Sequence, residues 1–377
     1  MGSDIVERPV VFLVSHSSPG GVQELWISLA TSLKERGFAT QLVALYPHSH
    51  ADGTSARDER WTFLVDRRPS SIPTALGLLT ALVRLFRRER PAVVLSAMPA
   101  ANVAAAALSW LSRAGTPVII SHHSPVDAYN RLLDAIDSLT GSLANVARVV
   151  CVSQAVSHSL ERKPAPYAAK RCVVLNALPP DVEMRLSALA DARRRRPTGR
   201  VVVAAGRLSE EKNYAFLLRA TALLPDVEVR IVGDGPDRSM LEALARRLGV
   251  TDRVEFLGNR TRTETLELLA RGDVFVQPSL YEGHSLALLE AAGLGLPLVV
   301  SRVPAQVEGV TASDGSQCGI TVELGDDAGF ASAIRTFLDD PGVYKTWAAR
   351  ARHLSAANSY GRMVVAYSEL ITEIAMC

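Results

Sequence analysis

Residues Tyr281–Ser301 read YEGHSLALLEAAGLGLPLVVS, a glycine-bearing loop that runs into a short predicted helix and then a buried strand. Glu282 precedes the helix and Glu290 lies inside it, while Ser285 is the predicted N-cap. Backbone N–H groups near Gly283–Leu286 would then point into the loop without intrahelical partners, which favours an anion or a row of hydroxyl groups. Carboxylates repel phosphate but suit hydroxyls, so the stretch predicts a sugar phosphate or sugar nucleotide as the ligand.

The composition is that of a globular protein with two domains of ordinary size. The chain has 377 residues, of which 48% are hydrophobic and 21% are charged. A formal net charge of +2 gives no indication of a nucleic-acid partner. The four cysteines, at positions 151, 172, 318 and 377, show neither close pairing nor metal-ligand spacing. We therefore expect reduced thiols and a cytoplasmic location.

Two apolar segments could be mistaken for targeting or membrane segments. The N-terminal stretch MGSDIVERPVVFLVS has acidic residues ahead of a short apolar run, which is typical of a first strand and not of a signal peptide. The segment Val93–Leu111 is apolar, but Pro99 and Asn102 interrupt it. It predicts a buried strand, a turn and an alanine-rich helix in place of a membrane span.

The rest of the chain contains two similar series of alternating strands and helices. In the first series the runs VVFLV, VVLS and VIIS predict strands of a parallel sheet that is covered on both faces. A second series opens with RVVVAA at Arg200–Ala205. The fold class is therefore α/β, with two Rossmann-like doubly wound domains and a ligand in the cleft between the C-terminal ends of their strands.

The predicted domain boundaries follow from a change in composition. The run DARRRRPTG at Asp191–Gly199 has no apolar periodicity and reads as an exposed connector. Residues 1–190 are the predicted N-terminal Rossmann-like domain, and residues 191–358 are the predicted C-terminal one. The closing helix, 359–377, is expected to pack back on the first domain.

Basic residues and glycines follow predicted strands of the second series. Arg207 comes directly after the opening strand and Lys212 five residues later, so both side chains can reach a pyrophosphate. A solvated basic turn is the alternative. Gly233 follows the strand VEVRIV, and by itself it indicates only a turn at the end of that strand.

Glycines and histidines also follow strands of the first series. Gly20 and Gly21 would let the backbone approach a diphosphate closely, although the full GxGxxG spacing is absent. His122 and His123 end the strand TPVIIS, where one of them can hydrogen-bond a sugar hydroxyl or serve a structural role. The aspartates that follow are predicted to form a solvated face: Asp127, Asp134 and Asp137.

Taken together, these features resemble the retaining glycosyltransferases of the GT-B fold, specifically glycosyltransferase family 4, over nearly the whole chain. Glu282 and Glu290 match the Glu-x7-Glu motif, and the run GRLSEEKN at Gly206–Asn213 is nearly as specific. The resemblance implies transfer of a hexose or N-acetylhexosamine from a nucleotide-diphosphate sugar, UDP preferred over GDP. It also implies retention of anomeric configuration without a bound metal or other cofactor, through electrostatic support of the departing diphosphate.

The resemblance further implies roles for individual residues. Arg207 and Lys212 would hold the donor pyrophosphate. Glu282 would contact the donor sugar and Glu290 the ribose hydroxyls, with Leu257–Arg260 near the base. The implied catalytic residues are His123 (or in second place His122), Arg207, Lys212 and Glu282. The implied donor-binding residues are Gly20, Gly21, Gly206, Asn213, Gly233, Gly258, Gly283, His284, Ser285, Leu286 and Glu290. His284 departs from the family pattern, which often has Phe or another apolar residue at this position.

One predicted helix gives an indication of the kind of acceptor. Thr74–Arg90 reads TALGLLTALVRLFRRER, apolar at its start and basic at its end. It is either an ordinary helix packed on the sheet or a patch that docks on an anionic membrane surface. The second reading, together with Arg193–Arg196, suits a glycan or polyprenyl-linked acceptor at the inner face of the plasma membrane.

Two other functions fit the same architecture. A nucleotide-sugar 2-epimerase would need acid–base carboxylates around the sugar, and the pairing of GRLSEEKN with Glu-x7-Glu favours transfer over it. A non-catalytic nucleotide-sugar-binding protein would bind the donor without turning it over.

Overall fold

The computed structural model describes residues 8–18, 20–49, 55–56, 58–192 and 199–376. The chain divides into two compact units: Met1–Leu175 with Gly361–Cys377 form the first, and Asn176–Tyr360 form the second. The sequence placed these divisions at 190/191 and 358/359, so residues 176–190 belong to the second unit and not to the first. Arg193–Arg196 of the predicted connector lie outside the described residues.

The first unit is built on a seven-stranded parallel sheet of order β5-β2-β1-β6-β7-β8-β9. In chain order, the strands are β1 Val10–His16, β2 Thr40–Tyr46, β3 His48–Ser49, β4 Ser55–Ala56, β5 Thr62–Phe63, β6 Val93–Ala97, β7 Val118–His122, β8 Val146–Cys151 and β9 Arg171–Val173, of which β3 and β4 form a separate antiparallel pair. The helices are α1 Gly21–Glu35, α2 Ile72–Glu89, α3 Pro99–Ser112, α4 Arg131–Gly141, α5 Gln154–Ser159 and α6 Ala165–Ala168, with a 3-10 turn at Val126–Ala128.

The second unit is built on a six-stranded parallel sheet of order β12-β11-β10-β13-β14-β15. Its strands are β10 Val201–Ala205, β11 Glu228–Val232, β12 Val254–Gly258, β13 Val274–Gln277, β14 Leu298–Ser301 and β15 Ile320–Val322. Its helices are α7 Pro180–Ala192, α8 Tyr214–Ala222, α9 Arg238–Arg247, α10 Arg262–Ala270, α11 Leu286–Gly293, α12 Pro304–Gly309, α13 Asp327–Asp339 and α14 Pro341–Ala357, with a 3-10 turn at Glu210–Lys212. The closing helix, α15 Tyr360–Ala375, carries the chain into the first unit.

The buried apolar runs explain why these strands form. Val10–Val14 of β1 are fully buried, as expected for a central strand covered by helices on both faces. Val93–Leu111 contains β6 and α3, so the prediction of a strand and a helix in this segment is confirmed. Among the helices of the described residues, none combines the length and the apolar character needed to cross a bilayer.

The unpredicted helix α7 accounts for the shifted division between the units. Leu178, Val182 and Leu186 are buried in the core of the second unit, and α7 packs against α10 and α11. Met184 on the same helix is exposed, so the apolar residues do not follow a clean helical stripe in the sequence. The sequence pattern therefore does not predict a helix here, and α7 is stabilised by the packing of its buried face.

Candidate active site

In the second unit, the strand order reverses beside β10, which lies between β11 and β13. In doubly wound sheets, ligands bind outside the carboxyl ends of the strands at such a reversal. The loops that follow β10 and β13 meet there: Leu280 N donates to Glu211 O at 2.8 Å, and Asn213 Nδ2 donates to Pro278 O at 3.1 Å. The two predicted motifs, far apart in the sequence, are thus joined by hydrogen bonds.

Glu282 is held by three donors that converge on one carboxylate oxygen. Its Oε1 accepts from Lys212 Nζ at 2.7 Å, from Gln277 Nε2 at 2.5 Å and from Ser279 Oγ at 2.7 Å. The residue is only 9% exposed, so these bonds compensate for the loss of water around the charge. None of the described residues donates a hydrogen bond to Oε2, which leaves that oxygen available to a ligand.

The sequence did not indicate the residues that support Glu282. Gln277 ends β13, and its Nε2 also donates to Ser285 Oγ at 3.0 Å. Ser279 is fixed in turn, because its carbonyl oxygen accepts from Ser301 Oγ at the end of β14. Polar residues at the carboxyl ends of buried parallel strands were the available signal for this group.

Glu290 is held in a similar way by a residue of another helix. Its Oε1 lies 2.7 Å from Nη2 of Arg262, the first residue of α10, and Glu290 is 6% exposed. Burial raises the pKa of Glu290, and the Arg262 guanidinium opposes that effect. Arg262 was not singled out from the sequence, because an arginine at a helix start is commonly a solvated residue.

The start of α11 has the predicted cap. Ser285 Oγ accepts from Leu288 N at 3.3 Å, and the helix begins at Leu286. Gly283 is buried, and the carbonyl oxygen of His284 accepts from Asn176 Nδ2 at 3.0 Å. Burial lowers the pKa of His284 to about 4, so its imidazole is neutral at pH 7.

Three predicted glycines bring the ends of neighbouring strands into contact. Gly206 N donates to Val232 O at 2.9 Å, and Gly233 N donates to Gly258 O at 3.0 Å. A Cβ on Gly233 would lie 2.0 Å from Gly206 O, so no larger residue fits without a backbone shift. Lys212 packs over Gly206, since a Cβ added there would meet Lys212 Cε at 3.4 Å. The glycines therefore let this lysine cross the end of β10.

Arg207 differs from Lys212 in its surroundings. It is exposed, and it forms no ion pair with any of the described residues, whereas Lys212 is paired with Glu282. The structure thus brings Lys212, Glu282 and Ser285 into one hydrogen-bonded group and places Arg207 on the same loop as Lys212, outside that group.

The first unit contributes its own candidates at the carboxyl edge of its sheet. Gly20 caps α1 and Gly21 begins it, and both are exposed. His123 Nε2 lies 3.0 Å from Ser121 Oγ, and the ring of Trp26 meets it edge-on, with the ring centroids 6.4 Å apart. Burial, with a smaller effect of His122, lowers the pKa of His123 to about 3. A neutral imidazole can exchange hydrogen bonds with a sugar hydroxyl.

His122 belongs to a buried polar network. Its Nε2 lies 2.6 Å from the Tyr167 hydroxyl, which donates to Asp137 Oδ2 at 3.0 Å. Tyr129 OH lies 3.3 Å from His122 Nδ1, and Lys163 Nζ lies 2.8 Å from Asp137 Oδ2. With the Tyr167 proton directed to Asp137, His122 carries its proton on Nε2 and accepts at Nδ1. Its side chain is occupied by this network.

The predicted solvated face is therefore wrong at Asp137. That residue is 1% exposed, and its Oδ1 lies 4.0 Å from His122 Nε2, while Asp127 is exposed as predicted. Asp134 is half-buried, and its carboxylate pairs with Lys163 at 2.6 Å. Asp134 and Asp137 lie on α4, whereas Asp127 lies in the preceding 3-10 turn. The spacing could not reveal the lysine and tyrosine that satisfy a carboxylate inside the protein.

Two family models match the chain, Glycosyltransferase Family 4 over residues 19–181 and Glycosyl transferases group 1 over residues 189–354. Two doubly wound parallel sheets in one chain agree with both matches. The chain belongs to glycosyltransferase family 4 and is a hexosyltransferase with the GT-B fold.

Individual relatives agree with this family. The chain is 28% identical over 343 residues to the lipopolysaccharide core biosynthesis glycosyltransferase LpsD of Rhizobium meliloti (strain 1021). The aligned region covers 88% of this chain and 89% of the relative. Its fold is similar to that of Anabaena Alr3699/HepE in complex with UDP and glucose, with a TM-score of 0.79 at 19% identity, over 97% of this chain and 100% of the other. It is also similar to WaaG, a glycosyltransferase involved in lipopolysaccharide biosynthesis, with a TM-score of 0.74 at 16% identity, over 96% and 99% of the two chains.

Proposed function

We propose that this enzyme moves a hexose or N-acetylhexosamine, with retention of configuration, from a nucleotide-diphosphate sugar to a glycan or lipid-linked acceptor in cell-surface polysaccharide or glycolipid assembly. The observation that carries this proposal is the hydrogen-bonded group of Lys212, Glu282 and Ser285 at the strand-order reversal of the second unit. A cation and an oriented carboxylate placed side by side suit a ligand with a diphosphate next to hydroxyl groups.

The proposed chemistry follows from these groups. The bond between the anomeric carbon and the diphosphate oxygen breaks, and the acceptor oxygen bonds to the same face of that carbon. Lys212 and Arg207 offset the charge that develops on the departing diphosphate, which takes up the acceptor's proton. Glu282 binds donor-sugar hydroxyls through Oε2, Glu290 binds the ribose, and His123 in the first unit hydrogen-bonds a sugar hydroxyl. No metal or other cofactor has a role in this proposal.

UDP is the proposed carrier, in preference to GDP. HepE, whose fold this chain shares, has been crystallised with UDP and glucose, and this similarity supports the choice. The relatives named for lipopolysaccharide synthesis support a glycan or lipid-linked acceptor. We propose a cytoplasmic location, with attachment to the inner face of the plasma membrane through α2.

Incubation of the protein with UDP-sugars and GDP-sugars, with and without a polyprenyl-diphosphate glycan, tests the proposal. We expect nucleotide release that requires the acceptor, an unchanged rate in EDTA, and a product whose anomeric configuration by NMR matches that of the donor. Isomerisation of the sugar without transfer would indicate the 2-epimerase. Saturable donor binding with neither reaction would indicate a binding protein, and an inverted product would exclude retention.

A further inference from the structure

Arg262 and Glu290 form a pair that the family motif does not account for. Glu290 lies on α11 and Arg262 on α10, and the ion pair joins Arg262 Nη2 to Glu290 Oε1 at 2.7 Å. Because Oε1 is occupied, the carboxylate cannot rotate freely. Oε2 receives no hydrogen bond from the described residues and is the oxygen left for a ligand.

The helices that pack against α11 carry other charged groups besides Arg262. On α7 and α10, Arg185 and Glu267 pair with each other at 2.5 Å. On α14, Arg352 lies over Gly295, beyond the end of α11. The charge that acts on the Glu290 carboxylate from these elements is that of Arg262, which opposes the effect of burial.

We propose that Arg262 is a positioning residue of the nucleotide site: it keeps Glu290 as an oriented carboxylate before the donor arrives, with Oε2 directed to the ribose hydroxyls. This inference rests on the proposed function, in which Glu290 binds the ribose. A protonated Glu290 would present an O–H donor in place of one acceptor, so the two ribose hydroxyls would lose a partner. Removal of Arg262 leaves burial unopposed, which raises the pKa of Glu290 further.

The test measures binding of UDP-glucose, whose diphosphate does not titrate near neutral pH, by calorimetry from pH 5.5 to 8.5. We expect the affinity of the wild type to vary less across this range than that of Arg262→Gln. Arg262→Gln should bind at least about tenfold more weakly at the acid end and recover as the pH rises, because a carboxylate regains its charge above its pKa. Arg262→Lys should recover most of the affinity, and Glu290→Gln should bind weakly at every pH. Arg185→Gln, which breaks a pair between α7 and α10, is the matched control and should follow the wild type.

A ligand-free measurement separates this inference from the proposed function. The 13C chemical shift of labelled glutamate carboxyls, with Glu290 assigned by its loss in Glu290→Gln, should titrate at higher pH in Arg262→Gln than in the wild type. An identical titration in both proteins, or a loss of affinity in Arg262→Gln that is the same at every pH, would overturn the inference. A wild-type protein that binds no nucleotide sugar would instead overturn the proposed function, even if Arg262 is found to control the charge of Glu290.

Discussion

At the scale of residues, the two glutamates of the motif share one arrangement. Each has Oε1 anchored by the protein, Glu282 by three donors and Glu290 by Arg262. Each keeps Oε2 without a donor from the described residues. Buried carboxylates need such partners to remain charged and oriented, and a free oxygen on each gives two fixed acceptors for ligand hydroxyls. The arrangement explains why the chemistry calls for carboxylates and not for amides, which accept through one oxygen.

Lys212→Ala tests the cation of this group. We expect turnover to fall by at least about tenfold, since the lost contact with the leaving diphosphate is worth more than about 1.4 kcal/mol. The fold should persist, because Gln277 and Ser279 still donate to Glu282. The initial rate of UDP release in the presence of acceptor is the measurement, with Lys345→Ala on α14 as the control. A near-native rate for Lys212→Ala would show that the lysine does not serve the diphosphate.

Glu290→Ala tests the second carboxylate. Loss of the ribose contact should weaken the binding of free UDP while the rate at saturating donor falls less. Titration calorimetry with UDP checks the first part, and steady-state rates at high UDP-sugar concentration check the second. Unchanged affinity for UDP would count against the ribose role.

The motif residues could be predicted from the sequence, but their partners could not. Glu282, Glu290 and Lys212 are recognisable because their spacing along the chain is specific. Arg262 comes from another helix, and Gln277 supports Glu282 through side-chain contacts that spacing does not reveal. For the same reason the sequence misplaced Asp137, whose buried partners, Lys163 and Tyr167, come from later segments.

At the scale of elements, glycine contacts fix the ends of β10, β11 and β12 against one another. Gly233 has a φ of 138° and lies beneath the carbonyl of Gly206, and its N–H donates to Gly258. This close approach sets the path of the loop that carries Lys212. An alteration of the glycine therefore affects both stability and the candidate site.

Gly233→Ala is expected to destabilise the second unit by about 2 kcal/mol or more, because the added methyl overlaps backbone atoms that cannot move independently. Gly249→Ala is the matched control: its φ is also positive, at 66°, but nothing lies within 4 Å of the added Cβ. The control should cost about 1 kcal/mol from backbone strain. Urea unfolding followed by far-UV circular dichroism gives the stabilities, and UDP affinity should fall in Gly233→Ala alone. Equal effects of the two substitutions would mean that the close contact is unimportant.

Strands were easier to predict than short helices for a physical reason. Buried parallel strands are continuous apolar runs, so β1, β6, β7, β10 and their neighbours appear directly in the sequence. The six-residue helix α12 is too short to show a helical period, and α7 mixes buried and exposed apolar residues. Their positions depend on packing against elements that are distant in the chain.

At the scale of the whole molecule, exposed apolar side chains concentrate on three neighbouring helices of the first unit. On α2, Ile72 is 78% exposed, with Leu76 and Leu79 also exposed, while Leu82 and Phe86 are buried. The helix α3 packs against both α2 and α4. The exposed apolar side chains of α3 and α4 are Trp110, Leu111, Leu132, Ile136 and Leu139. Exposed arginines follow at the end of α2, a combination that fits an anionic bilayer.

Replacement of Arg84 and Arg88 by Gln tests this surface and spares Arg87, which donates to Ser112 O at 3.1 Å. We expect weaker sedimentation with phosphatidylglycerol vesicles, with about 1 kcal/mol lost for each arginine at low salt. The matched control removes Arg246 and Arg247, two exposed arginines in the last turn of α9 in the second unit. If both double variants bind vesicles as the wild type does, the surface does not dock on lipid.

We expect His122 and His123 to make the stability of the first unit depend on pH. Burial lowers the pKa of His122 to about 4 and that of His123 to about 3, below the value of 6.5 for an unfolded histidine. Between the folded-state and unfolded-state pKa values, the unfolded chain binds more protons than the folded one. The contribution of these histidines to the free energy of unfolding is therefore fully present above about pH 6.5 and is lost as the pH falls towards the folded-state pKa values. For His122 the slope is at most about 1.4 kcal/mol per pH unit.

Urea unfolding from pH 5 to 6.5, where few carboxylates titrate, measures this slope. Trp26, Trp61 and Trp110 lie in the first unit, so tryptophan fluorescence reports mainly on that unit. His122→Gln should reduce the slope even though it also lowers stability, because a glutamine takes up no proton in either state. His158→Gln, on the exposed side of α5, is the matched control. A slope that is the same in all three proteins would show that His122 is protonated as readily in the fold as in the unfolded chain, and the neutral, Nε2-protonated state inferred from its network would then be wrong.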